Sequence, residues 1–184
     1  SEVSLSAIGK NIRAIRRLAG GASLYAVIKA DAYGHGVLEL ARLLENAGVD
    51  TFCVATLGEA VQLREAGYTR QTILLLGSFY ADEVGDLFEY AVTPTIPDIT
   101  HLGILSRHAR RKPNPIDAHL KVDTGMNRYG IPFDELTERA QEIFRTPGVN
   151  ITALYSHLAA SALPGDQGTL DQIAQFTRAV DYLE

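Results

Sequence analysis

Cysteine is almost missing from this sequence. Cys53 is the single one, so no disulfide can form within the chain, and nothing in it points to an oxidising compartment. It lies in the apolar run Thr51–Thr56, where a buried small hydrophobe is expected rather than a nucleophile. Positive charge is also scarce: 17 Lys and Arg stand against 22 Asp and Glu, a formal net charge of −5. That balance excludes a general affinity for nucleic acid or anionic membrane. Arg13, Arg16 and Arg17 fall at helical spacing and read as a solvated face. Arg107, Arg110, Arg111 and Lys112 suit a helix C-terminus, where the dipole favours cations. No apolar run is long enough to span a bilayer, and the start lacks the basic-then-apolar pattern of a signal peptide, so the cytoplasm is the expected compartment. The histidines His35, His101, His108, His119 and His157 show no metal-ligand spacing, and no metal is expected.

What is present is ordinary globular composition, 46% apolar and 21% charged, over 184 residues, a length that predicts one domain spanning 1–184. Short apolar runs alternate with segments of helical period. A stripe at Leu5, Ile8, Ile12, Ile15 and Leu18 predicts a helix closed by Gly20-Gly21. Strands are predicted at 24–29, 51–55, 72–76, 91–96, 116–122 and 150–155. Helices are predicted around 37–47, 59–66, 81–90, from Pro97-Asp98 through Leu105, and over 132–144 and 169–183. Six strand–helix repeats predict an α/β fold with a parallel sheet and outer helices. Even spacing, with no Gly-rich dinucleotide fingerprint after the first strand, favours a (β/α)₈ barrel over a doubly wound sheet. A complete barrel takes about 250 residues and eight repeats. The chain begins without methionine and stops inside an uncapped amphipathic helix, so an incomplete barrel from a longer protein is expected.

Three stretches carry chemistry. In Ala26-Val-Ile-Lys-Ala-Asp-Ala-Tyr-Gly-His-Gly36, Lys29 ends an apolar strand, the end at which α/β barrels build active sites. Partial desolvation of a lysine favours its neutral amine, the form a Schiff base requires. Gly34 and Gly36 let the backbone approach a ligand, and Tyr33 could donate to a phosphate. Read plainly, Lys29 snorkels and Tyr33 packs. In His119-Leu-Lys-Val-Asp-Thr-Gly-Met-Asn-Arg-Tyr-Gly130, another strand runs into a loop bearing Lys121, Asp123, Asn127 and Arg128. Arg128 offers a planar donor for a phenolate or carboxylate, and Asp123 is expected to turn the loop. The third stretch, Leu154-Tyr-Ser-His-Leu-Ala-Ala160, puts His157 at a strand end, where a satisfied core histidine is the plain alternative. A lysine, an arginine and a histidine at C-terminal strand ends point to an enzyme acting on a small anionic molecule.

These residues resemble the alanine racemase family. Val27–Gly36 is similar to its cofactor-lysine motif, His119–Gly130 to its second signature and Tyr155–Ser161 to its third. All three stand in family order, and Ser1–Ile8 is similar to a shortened family opening. The resemblance implies a fold-type III pyridoxal 5′-phosphate enzyme, a barrel followed by a β-rich C-terminal domain, acting as a homodimer. The implied activity interconverts L- and D-alanine through a cofactor Schiff base with two bases and supplies D-alanine for peptidoglycan. It further implies that Lys29 binds the cofactor and is one base, that Tyr33 contacts its phosphate, and that Arg128 hydrogen-bonds its phenolic oxygen and holds the substrate carboxylate. His157 is implied near the pyridine ring. Lys121 aligns with a lysine carbamylated in several members, where the new negative charge orients the arginine. The second base of the family is a tyrosine of the partner's C-terminal domain, and that domain and the last two barrel strands are not in this sequence. The isolated chain is therefore expected to be inactive. Tyr129 stands where many relatives carry leucine.

Three rival readings remain. A serine or broad-spectrum amino-acid racemase would share all three motifs. A non-catalytic pyridoxal-phosphate barrel protein would share the lysine but lack Asp-Thr-Gly-Met-Asn-Arg. A decarboxylase or aldolase of the same fold type would fit the barrel but not the two signatures.

Overall fold

In a computed structural model of the chain, which describes residues 2–163 and 165–184, the predicted alternation is present. The residues fall into two compact units, Ser1–Gly77 with Asp86–Thr93, and Ser78–Gly85 with Pro94–Glu184.

The first unit opens with α1 (Leu5–Leu18), capped by the Ser4 hydroxyl accepting from the Ala7 amide at 3.3 Å. Next come β1 (Tyr25–Val27), a helical turn α2 (Lys29–Gly34), α3 (Val37–Asn46), β2 (Thr51–Val54), α4 (Leu57–Glu65) and β3 (Thr72–Leu75). The three strands pair in parallel, Ala26 opposite Phe52 and Phe52 opposite Ile73. Every residue of β2 is buried, as expected for a strand covered on both faces. Burial also pushes the Cys53 thiol up to about 12, so it packs as a hydrophobe. Arg16 does more than face solvent: its guanidinium donates to the Gly48 carbonyl at 2.7 Å and holds α1 against the end of α3. Arg64 donates to four carbonyls, those of Tyr68, Gln71, Tyr90 and Ala91, and so closes the lower turns of the unit.

The chain crosses between the units along α5 (Val84–Glu89) and β4 (Val92–Ile96). The second unit continues with α6 (Ile99–Ala109), β5 (Ile116–Asp123), β6 (Ile131–Pro132), α7 (Phe133–Phe144), β7 (Val149–Tyr155) and α8 (Gln167–Leu183). β5 lies between β4 and β7, all parallel, with Thr95 opposite His119 and Lys121 opposite Tyr155. The β5–β7 register shifts by one residue between Ala118 and His119: Ala118 faces Ile151, but His119 faces Ala153. The two-residue β6, absent from the sequence reading, returns the β5 loop to pair with Val122 and Asp123. Gly130 makes this possible at φ 128°, since a Cβ there would meet the Asp123 nitrogen at 2.6 Å. Leu102, Leu105, Leu120, Ile131, Leu136 and Ile143 fill the core, each contributing roughly 1.5–3 kcal/mol by burial. Among the described residues no helix is long and apolar enough to cross a membrane.

Candidate active site

In the first unit, β1 ends at Val27, and the amide of the buried Ile28 donates to the Cys53 carbonyl at 2.9 Å, which fixes the strand end against β2. Lys29 follows, half-buried. The segment after it, expected as an irregular loop, is a single left-handed turn. Ala30, Asp31, Ala32 and Tyr33 have φ between 52° and 57° and ψ between 37° and 53°. For residues bearing a Cβ that conformation costs roughly 1–2 kcal/mol each. It persists because its surroundings over-determine it. The Ala30 amide donates to Glu59 Oε1 at 2.7 Å, the Ala32 amide to the Ile28 carbonyl at 3.0 Å and the Gly36 amide to the Asp31 carbonyl at 3.1 Å. Asp31 Oδ1 accepts from the Val37 amide at 2.7 Å and starts α3. The turn carries Tyr33 to the surface, 60% exposed, so its plain packing role is not what the structure has.

In the second unit, Lys121 is 6% exposed. Its ammonium lies 5.5 Å from the Tyr155 ring centroid and 6.0 Å from that of Tyr129, distances at which the ring faces attract a cation. Tyr155 is fixed by a 2.8 Å hydrogen bond between its hydroxyl and Thr95 Oγ1. His119, one step back on the same face of β5, is buried, and desolvation lowers its pKa while Asp117 opposes the shift. Asp123 turns the loop as expected: Oδ1 accepts from the amides of Gly125 at 2.9 Å and Asn127 at 3.1 Å, with Asn127 at φ 55°. That loop presents Arg128 exposed beyond β5, and His157 is exposed beyond β7. Thus Lys29 and Tyr33 belong to the first unit, and Lys121, Arg128 and His157 to the second.

Two organising residues escaped the sequence reading. Glu59 accepts from Ala30, from Ala55 at 2.7 Å and from Thr56 at 3.2 Å, while the Glu59 amide donates back to Thr56 Oγ1. Thr56-Leu-Gly-Glu59 is a capping box and could have been found as such. Gln172, buried in α8, donates to Thr124 Oγ1 at 3.2 Å and to the His157 carbonyl at 2.9 Å, and accepts from the Ala159 amide at 2.8 Å. Thr124 also bonds Ser156 at 2.8 Å. The loops after β5 and β7 are therefore tied together from beneath, and nothing in the spacing of an amphipathic helix announces it.

The residues suit pyridoxal phosphate chemically. The strand ends at Val27, short of the predicted Lys29, and the half-buried lysine opens the turn after it; an exposed phenol can serve a phosphate oxygen, and an exposed guanidinium can serve a phenolate. Among the described residues no group of three His, Cys, Asp or Glu side chains is arranged to hold a metal ion. Comparison with known proteins agrees. A family model described as "Alanine racemase, N-terminal domain" matches residues 3–184. A curated alanine racemase of Synechocystis is 33% identical over 180 residues, 97% of this chain and 48% of that protein. An alanine racemase from Bartonella henselae, solved with covalently bound pyridoxal phosphate, superposes with a TM-score of 0.90 at 27% identity, covering 99% of this chain and 51% of that one. A histidine racemase from Leuconostoc mesenteroides subsp. sake does so with a TM-score of 0.88 at 28% identity, covering 96% and 48%. The chain spans about half the length of the curated relatives it matches.

Replacing Gln172 with Leu removes three hydrogen bonds of a buried side chain and is expected to destabilise the protein by about 2 kcal/mol, read as a lowered urea midpoint; an unchanged midpoint would show that the loops do not depend on it. Because His119 is held below its ordinary value of 6.5, the unfolded chain binds the extra proton first as pH falls. The stability it contributes is complete above pH 6.5 and is lost as pH drops below it. Urea titrations on either side of that value should show the loss, and His119→Gln should reduce it.

Proposed function

Because the chain belongs to the alanine racemase N-terminal domain family, we propose that the full-length protein interconverts the L and D forms of an amino acid, alanine foremost, with pyridoxal phosphate held on Lys29. The observation that carries this reading is the placement of Lys29 two residues past the end of β1, directly before a left-handed turn that Glu59 and Asp31 hold in a costly conformation. Strain of that kind collects where a ligand is gripped.

When bound, pyridoxal phosphate supplies an electron sink for the negative charge left at the substrate Cα. Lys29 Nζ would hold the cofactor and would take or return the Cα proton on its own side. The Tyr33 hydroxyl would donate to a phosphate oxygen. Arg128 would donate to the phenolic oxygen and to the substrate carboxylate, for which its planar fork is suited. His157 would help to hold the ring. The base on the opposite face of Cα comes from sequence that this chain does not span. The reading brings with it a homodimer, a cytoplasmic location and the supply of D-alanine for peptidoglycan, all resting on the resemblance. A racemase for another amino acid is the second reading, favoured by the histidine racemase among the structural neighbours.

Lys121 is proposed to be carbamylated: its amine adds to carbon dioxide, releases a proton and becomes an anion available to Arg128. The burial of Lys121 supports this, because the side chain is kept from bulk water. A ¹³C carbamate resonance from labelled bicarbonate is expected in the full-length protein and should vanish in Lys121→Met; its absence from the unsubstituted protein would remove the proposal.

In the full-length protein, Lys29→Ala is expected to abolish both the absorbance of lysine-bound cofactor and racemisation, measured with alanine, serine and histidine. A retained absorbance band would move the cofactor to another lysine, and turnover fastest with serine or histidine would favour the second reading.

A further inference from the structure

We propose that Ser78, His101 and Asp98 form a nucleophilic triad that takes acyl groups from small activated esters and passes them to water. None of the three is used in the racemase reading, and all lie within the second unit. Ser78 Oγ is 2.6 Å from His101 Nε2. His101 Nδ1 is 2.8 and 2.9 Å from the two Asp98 carboxylate oxygens. An acid, an imidazole and a hydroxyl in that order, each within hydrogen-bond reach of the next, are recognised by geometry and role rather than by chain position.

The hydrogen bonds fix the proton inventory. A carboxylate only accepts, so Nδ1 carries the proton and donates to Asp98, which leaves Nε2 as the acceptor for the Ser78 hydroxyl. Burial alone would raise the Asp98 pKa, but bonds from the His101 amide and ring outweigh it and hold the group below the usual carboxylate range. Asp98 is therefore ionised at neutral pH. Its placement has a backbone cause: it is the N-cap of α6, where Oδ1 also accepts from the His101 amide at 2.8 Å. The edge of the imidazole is further held by the buried Phe79 ring, 5.3 Å away and nearly perpendicular. The side chains of His101 and Asp98 are 20% and 49% exposed, and Ser78 is half-buried, so the group is ordered yet open to a small reactant.

The reaction balances without any further reagent. Ser78 Oγ bonds to the acyl carbon while its proton passes to His101 Nε2. The ester C–O bond breaks, and the departing alcohol takes that proton. Water then attacks the acyl carbon and gives its proton to Nε2, the bond to Oγ breaks, and the hydroxyl is restored. A nucleophile and a proton carrier suffice when the leaving group is good, so the substrate class is aryl esters of short carboxylic acids.

The test uses the full-length protein with its cofactor and a fluorophosphonate probe, which bonds to a nucleophilic oxygen and releases fluoride. Peptide mapping should find the probe on Ser78. His101→Gln should slow labelling about 100-fold, and Ser78→Ala should abolish it together with turnover of an aryl acetate. Asp98→Asn keeps a good N-cap, so it should preserve the fold by circular dichroism and still slow labelling. Absence of the probe from Ser78 in the folded protein, or a rate indifferent to His101→Gln, would overturn the triad. Labelling without turnover of the acetate would overturn the hydrolytic step. Racemase activity, measured alongside, reports on Lys29 independently.

Discussion

Glu59 takes up the amides of Ala30, Ala55 and Thr56, and this one carboxylate joins the end of β1 to the end of β2 at the point where Lys29 leaves the sheet. A backbone that turns left-handed through four residues with side chains would relax if its amides were free to choose other partners. Glu59 removes the first choice, and Asp31, through its carbonyl and its carboxylate, removes the last. Helix α3 then begins where the turn ends. The position of Lys29 thus follows from hydrogen bonds made around it rather than by it.

The second unit reaches the same end by different means. Its loops after β5 and β7 are shaped from inside by Asp123 and fastened from below by Gln172, so that Arg128 and His157 stand on supported backbone. In both units the parallel strands supply position, and a few polar side chains, Asp31, Glu59, Asp123 and Gln172, supply the loop conformations that strands cannot dictate. Gln172, the buried one among them, makes three hydrogen bonds, which offset the cost of taking its amide out of water.

Much of this was legible in the sequence. The alternation of apolar runs and helical stripes located all six strand–helix repeats, and ends moved by a few residues, as with α6, which continues past Leu105 to Ala109. The burial of Cys53 and the turn made by Asp123 followed from residue type and neighbours. The left-handed turn did not, because Ala30-Asp-Ala-Tyr33 contains no glycine and carries no local signal for positive φ; the cause lies 29 residues away at Glu59. Gln172 sits among helical residues of similar polarity, and only tertiary contact distinguishes it. Ser78 and His101 are 23 residues apart and meet through the fold, while Asp98 was read only as a helix opener. Arg16 was assigned to solvent because periodicity reports a face but not the reach of a long side chain.

The shifted pairing between β5 and β7 has one more implication. Counting on from Ala118 opposite Ile151, a ladder that paired Thr152 in its turn would set Leu154 opposite Lys121 and turn the Tyr155 ring to the other side of the sheet. The aromatic lining of the buried lysine, and the hydroxyl contact to Thr95, therefore depend on Thr152 being left out of the pairing. Deleting Thr152 would join Ile151 to Ala153 and keep Tyr155 opposite Lys121, whereas one residue inserted between Ala153 and Leu154 would set an aliphatic chain there in place of the phenol.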